Sequence, residues 1–181
     1  IAMMALGASG LAPAGAMRRA ADWILSKEVR RKGDWSVKRP NLEPSGWYFE
    51  FANEFYPDID DTAFVLLGLK YAQAADSEAQ RSAERRALNW LLGMQSKDGG
   101  WAAFDVDNDW VPLSYVPFAD HNAMLDPTCP DITGHVLEAL CACGLDSRHA
   151  AVRRGIRYLE RTQRPDGSWY GRWGVGFLYG T

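Results

Sequence analysis

Three carboxylates stand within four positions at Asp58, Asp60 and Asp61, in the stretch Pro57-Asp58-Ile59-Asp60-Asp61-Thr62-Ala63. An apolar run, Phe64-Val65-Leu66-Leu67-Gly68-Leu69, follows at once. Proline, then acids and a threonine, then apolar residues reads as a helix start. The unpaired N–H groups and the macrodipole favour carboxylates there. Like charges this close do not all ionise cheaply, so at least one proton tends to be retained. A carboxyl still protonated near neutral pH is a Brønsted acid. Two other readings stay open: a first turn of ordinary capping acids, for which two would suffice, and a site for a hard cation.

The surroundings bear on that choice. Six aromatics (Trp47, Tyr48, Phe49, Phe51, Phe55 and Tyr56) crowd just upstream, and no Lys or Arg lies between Pro40 and Lys70. A magnesium–phosphate site would want cations to receive the phosphate. An acid beside an aromatic wall suits an uncharged substrate that turns positive during reaction. The loop Asp105-Val106-Asp107-Asn108-Asp109 resembles half a calcium loop, but Trp110 and Val116 stand where Gly and Glu are required. No metal and no organic cofactor is expected.

The elements that must hold these acids repeat. Ala21-Asp22-Trp23-Ile24-Leu25 leads to Gly33-Asp34-Trp35, Leu88-Asn89-Trp90-Leu91-Leu92 to Gln95 and Trp101, and Ile156-Arg157-Tyr158-Leu159 to Gln163 and Trp169. The last two copies share a Gln-x-x-x-Gly-x-Trp spacing; the first, ending at Trp35, lacks the Gln. Between them lie more apolar helices, and aligning Thr62 with Thr133 superposes Asp60 on Asp131. No strand-like alternation competes. Paired helices, one apolar nearly all round and one more polar, predict an all-α fold, an α/α toroid with an inner and an outer ring. Asp131 and His135, at i and i+4, share one helix face. The alignment predicts that they come level with the acid cluster, with His135 tuning Asp60 and Asp131 orienting His135.

The 181 residues suffice for one domain or part of a larger one, and a net charge of −3 gives no reason to expect nucleic acid. Three cysteines (Cys129, Cys141 and Cys143) do not pair evenly and read as small apolar residues of a cytoplasmic protein. The uncharged start, residues 1–17, reads as two helices around a Gly-Leu-Ala-Pro-Ala-Gly turn rather than a signal peptide. No stretch reaches the roughly 20 apolar residues needed to span a bilayer.

The Asp58-Ile59-Asp60-Asp61-Thr62-Ala63 motif, the Gln-to-Trp repeats, Trp101-Ala102-Ala103-Phe104-Asp105-Val106-Asp107-Asn108 and the segment Gly171-Arg172-Trp173-Gly174-Val175-Gly176-Phe177-Leu178-Tyr179-Gly180-Thr181 together resemble the bacterial squalene–hopene cyclase family. The resemblance runs from end to end, but family members are several times longer, so residues 1–181 are expected to be a central catalytic piece. It implies acid-initiated cyclisation of squalene to hopene or hopanol. Asp60 would then be the proton donor, Asp58 and Asp61 its flanking acids, and His135 its hydrogen-bonded partner, with Asp131 and Tyr179 close by. It also implies that Phe49 and Trp173 face developing cations. Phe104 stands where some members have Tyr, and Phe118 would sit at the constriction of the substrate channel. Attachment to the cytoplasmic face of a bacterial membrane from one side, and a homodimer, are further implications. The alternatives are another class II polyprenoid cyclase of diterpene or oxidosqualene type, a glycosidase on an α/α toroid, or a non-catalytic helical-repeat binding module. The oxidosqualene type carries an Asp-Cys-Thr-Ala-Glu pattern that this chain lacks.

Overall fold

The computed structural model describes all residues except 50, 51, 111, 113, 114, 116–123 and 175. Seven α-helices follow one another among the described residues: α1 (Ala2–Ser9), α2 (Ala14–Leu25), α3 (Ile59–Leu69), α4 (Ser77–Gly93), α5 (Pro130–Ala142), α6 (Ala150–Thr162) and α7 (Gly176–Gly180). A short 3-10 helix, Asp34–Val37, lies between α2 and α3. The described residues form no strand, only two isolated bridges, Trp47 with Asp58 and Asn108 with Asp126.

The helices form two layers. In one layer α1, α3 and α5 lie side by side, and α7 meets α5. The other layer holds α2, α4 and α6, with α4 against α3 and α6 against α5. The layering follows from composition. In α3, Ile59, Thr62, Ala63, Leu66, Leu67, Gly68 and Leu69 are all buried, so it is covered on most of its circumference. In α4 only a stripe at helical spacing is buried (Gln80, Ala83, Ala87, Trp90 and Leu91), and Arg and Glu fill the outer face. The expected inner and outer helices are both present. No helix of the described residues is long and apolar enough to cross a membrane.

Three tryptophans tie the layers together. The indole N–H groups of Trp47, Trp101 and Trp169 donate to the carbonyls of Ile24, Leu91 and Leu159 at 2.7, 2.7 and 2.8 Å, near the ends of α2, α4 and α6. Their backbone N–H groups donate to the hydroxyls of Thr62, Thr133 and Thr181 at 3.0, 3.0 and 2.9 Å. Each tie adds a further bond to a carbonyl in the last turn of α2, α4 or α6 that already accepts a backbone N–H.

The first of these ties departs from the sequence expectation. Trp35, which the spacing selects, is buried edge-on against Trp90 at 5.8 Å, and its indole N–H has no partner among the described residues. Trp47 takes its role. Glu28 stands four residues after Ile24, as Gln95 follows Leu91 and Gln163 follows Leu159. Like Gln95, which accepts from Arg154, Glu28 accepts from an arginine of the next outer helix, Arg86. Nineteen positions separate Glu28 from Trp47, against six in the other two turns. The additional residues form a strap over the second turn, where Lys38 Nζ donates to the carbonyls of Val106 and Asp107 at 2.7 and 2.8 Å. The cysteines also depart from expectation. Cys129 is buried, but Cys141 is exposed and Cys143 only half-buried.

Candidate active site

The acids sit at the start of α3, and both neighbouring tryptophan turns grip that start. Asp58 N–H donates to the Trp47 carbonyl at 2.7 Å, and Ile59 N–H donates to the Ala103 carbonyl at 2.8 Å. Asp58 is the N-cap, its Oδ1 accepting from the N–H groups of Asp60 at 2.7 Å and Asp61 at 3.1 Å. So one of the three acids does serve as a cap, leaving two that the cap does not require.

Helix α5 begins in the same way, with Cys129 N–H on the Trp101 carbonyl at 3.0 Å. Because α3 and α5 lie side by side, His135 reaches the acid cluster. Its Nδ1 lies 2.7 Å from Asp60 Oδ1. About a quarter of each side chain stays exposed, 26% for Asp60 and 27% for His135. The ring of Phe64 packs on His135 at 4.6 Å, and Tyr179 meets it edge-on at 6.2 Å. A Cβ at residue 174 would collide with the Tyr179 ring, so the segment folds back this tightly only with glycine there.

A cavity of about 310 Å³ opens beside the acids, lined by Phe49, Asp58, Asp60, Asp61, Ala103, Phe104, Ile132 and Trp173. No Lys or Arg is among these residues. The Phe104 and Trp173 rings meet edge-on at 6.5 Å. Phe49 is 74% exposed and Trp173 44%, so the wall is open in residues 1–181. Phe118 lies outside the described residues.

The electrostatics follow from burial and crowding. Burial pushes the Asp58 carboxyl up to about 7, and the charges of Asp61 and Asp60 add to the push. Burial, then the Asp60 charge, raises Asp61 too, and its Oδ2 is buried without a hydrogen-bond partner among the described residues. His135 is raised above the ordinary imidazole range chiefly by its bond to Asp60; burial opposes this, while the charges of Asp60, Asp131 and Glu138 add to it. The cluster can therefore hold protons where an exposed aspartate would have lost them.

Asp131 does something other than what its spacing predicts. Its Oδ2 accepts from the backbone N–H of Arg172 at 3.1 Å, and its Oδ1 is buried without a partner among the described residues. Among the described residues it makes no hydrogen bond to His135 and reaches that ring through its charge alone. The backbone bond fixes the aromatic–glycine segment against α5, which sequence spacing gave no means of seeing.

The doubled role of Asp58 has a measurable result. A carboxyl raised in the folded state binds more protons folded than unfolded, so stability falls as pH rises from the ordinary value of 3.8 through about 7. Asp58→Asn keeps a good cap and removes that titration. Its melting temperature should match the parent's at or below the ordinary value of 3.8 and exceed it by a growing margin up to neutrality, the parent losing up to about 1.4 kcal/mol per pH unit across the window. Parallel melting curves across pH would show that Asp58 does not titrate there.

Comparison with known proteins gives the family. The family model for the squalene-hopene cyclase C-terminal domain matches residues 1–181. The chain belongs to that family. It is 46% identical over 183 residues to a squalene–hopene cyclase of Alicyclobacillus acidocaldarius, covering 100% of this chain and 29% of that protein. A squalene–hopene cyclase of Bradyrhizobium diazoefficiens is 44% identical, covering 97% of this chain and 27% of its own length. Dammaradiene synthase of Dryopteris crassirhizoma is 40% identical, covering 96% of this chain and 27% of its own length. The chain thus spans under a third of these relatives. As a squalene–hopene cyclase C-terminal domain, it has the α/α toroid as its fold, of which the two helical layers are an arc.

Proposed function

We propose that residues 1–181 are the catalytic portion of a longer cyclase, with about three helix-pair repeats, that isomerises squalene to hopene and hydrates part of it to hopanol. The observation that carries this reading is the Asp60–His135 pair, 2.7 Å apart at the edge of an aromatic cavity whose lining holds no cation. Asp60 protonates a terminal C=C of squalene and a carbocation forms at the adjacent carbon. His135 stabilises the carboxylate left behind, and each further C=C closes a ring onto the cation. Proton loss ends the cascade as hopene, and addition of water followed by proton loss ends it as hopanol. Phe49, Phe104 and Trp173 stabilise cations through their ring faces without supplying a nucleophile. One desolvated contact is worth about 2 kcal/mol, which is a factor of about thirty in a rate.

No step needs a metal or an organic cofactor. The reading also puts the enzyme on the cytoplasmic face of a bacterial membrane, attached from one side by parts outside residues 1–181, with a homodimer as its assembly. A glycosidase is disfavoured because the carboxyls lining the cavity come from a single helix start, whereas sugar hydrolysis needs a pair flanking the scissile bond. The test is incubation of the complete cyclase with squalene and mass analysis of the lipids. Expected are products of squalene's own mass and products heavier by one water, at a yield that EDTA leaves unchanged. Squalene recovered intact beside conversion of a diterpenyl diphosphate would shift the assignment to another class II cyclase.

A further inference from the structure

Asp126 is a buried carboxylate outside the acid cluster, 6% exposed. Three consecutive backbone N–H groups converge on it: Ala103 on Oδ1 at 3.1 Å, and Phe104 and Asp105 on Oδ2 at 2.6 and 2.7 Å. Its own N–H donates to the Asn108 carbonyl at 3.0 Å, closing a short loop around residues 103–108. Asp126 is not among the residues lining the cavity. It stands behind the wall.

The segment it holds carries two parts of the site. Phe104 supplies an aromatic ring to the cavity, and the Ala103 carbonyl accepts from Ile59 at the start of the acid-bearing helix. The residue before Asp126 grips the other half of the wall, since the Leu125 carbonyl accepts from Arg172 Nη2 at 3.0 Å. Arg172 precedes Trp173, whose ring meets Phe104, and Asp131 holds the Arg172 backbone. The pair Leu125–Asp126 thus links the two aromatic segments and, through Ala103, the acids.

We infer that Asp126 is a positioning residue for cyclisation: it fixes where the Phe104 and Trp173 rings stand relative to the acids, and so sets how many rings close, without touching substrate. This rests on the cyclase reading above. The chemistry explains why a carboxylate is used. Two oxygens with four lone pairs can receive three N–H groups, whereas an amide offers one oxygen and turns an NH2 donor toward N–H donors. Burying a carboxylate is costly unless such bonds meet it, and here they are all directed at one loop.

The test compares Asp126→Asn and Asp126→Glu with the parent in the complete cyclase, reading squalene consumption, product distribution and thermal melting. Asp126→Asn should still consume squalene, because Asp60 and His135 are untouched. Its share of incompletely cyclised products should rise about tenfold, the change that a small shift in relative barriers produces. Asp126→Glu keeps both acceptor oxygens and should lie between the parent and the amide variant; it carries the test if the amide variant does not fold. An unchanged product profile in the folded variants, whatever their rates and melting temperatures, overturns the inference. If the parent itself leaves squalene untouched, the cyclase reading has failed separately. The fluorine resonance of a 4-fluorophenylalanine at position 104 then decides the positioning claim. A shift in Asp126→Asn supports it, and an unmoved resonance overturns it.

Discussion

Asp60→Asn in the complete cyclase is expected to lower squalene turnover by about 10⁴-fold, the upper end of what a positioned acid contributes, since an amide has no acidic proton to give. The fold should survive. The backbone N–H of residue 60, at the second helical position, stays on Asp58 in the variant, and the amide oxygen still offers the His135 ring an acceptor. Loss of activity together with an unchanged or slightly raised melting temperature would separate chemistry from scaffold. A folded Asp60→Asn protein that turns squalene over at the parent's rate would remove Asp60 as the donor and direct attention to Asp58, whose carboxyl burial pushes up to about 7.

His135→Ala is expected to slow the reaction by roughly two to three orders of magnitude, about what a positioned acid–base partner contributes. The ratio of products should not change, because His135 acts on the first proton transfer and not on the later cations. Without it, the carboxylate left on Asp60 loses a hydrogen bond that is 2.7 Å long in the structure. The pH dependence gives a second reading. The Asp60 bond holds His135 above its ordinary range, so the parent should lose rate as pH rises through that raised value, and the variant should lose this limb. Altered products at an unaltered rate would instead make His135 a wall of the cavity.

Much of this arrangement could be read from the chain. The apolar runs marked the inner helices, and aligning Thr62 with Thr133 brought His135 level with the acids. Those two threonines turn out to be matching acceptors for Trp47 and Trp101, which is why aligning them works. What the chain hid was of two kinds. An insertion moved one tryptophan: the spacing pointed to Trp35, but the helix register runs through Glu28 and the tie falls on Trp47. The other kind is bonding from side chains to backbone across distant segments. Asp131 looked like a partner for the histidine one turn away, yet it holds the Arg172 N–H, and Asp126, which no motif singled out, holds three N–H groups of residues 103–105. A backbone N–H has no residue-type signature, so neither contact leaves a trace in composition or spacing.

The alignment that superposes Thr62 on Thr133 also superposes Phe64 on His135, and these two rings pack against each other at 4.6 Å. The same position of two sibling helices therefore meets itself across their seam. Two identical copies would have placed either two phenylalanines or two histidines there: the first pair offers Asp60 no polar atom, and the second would set one imidazole against another. The repeat supplies the seam, and the difference within it makes the seam useful: one helix presents an apolar ring there and the other a ring that can hold a proton. The proton-handling centre is thus a property of neither repeat by itself. It belongs to the difference between them.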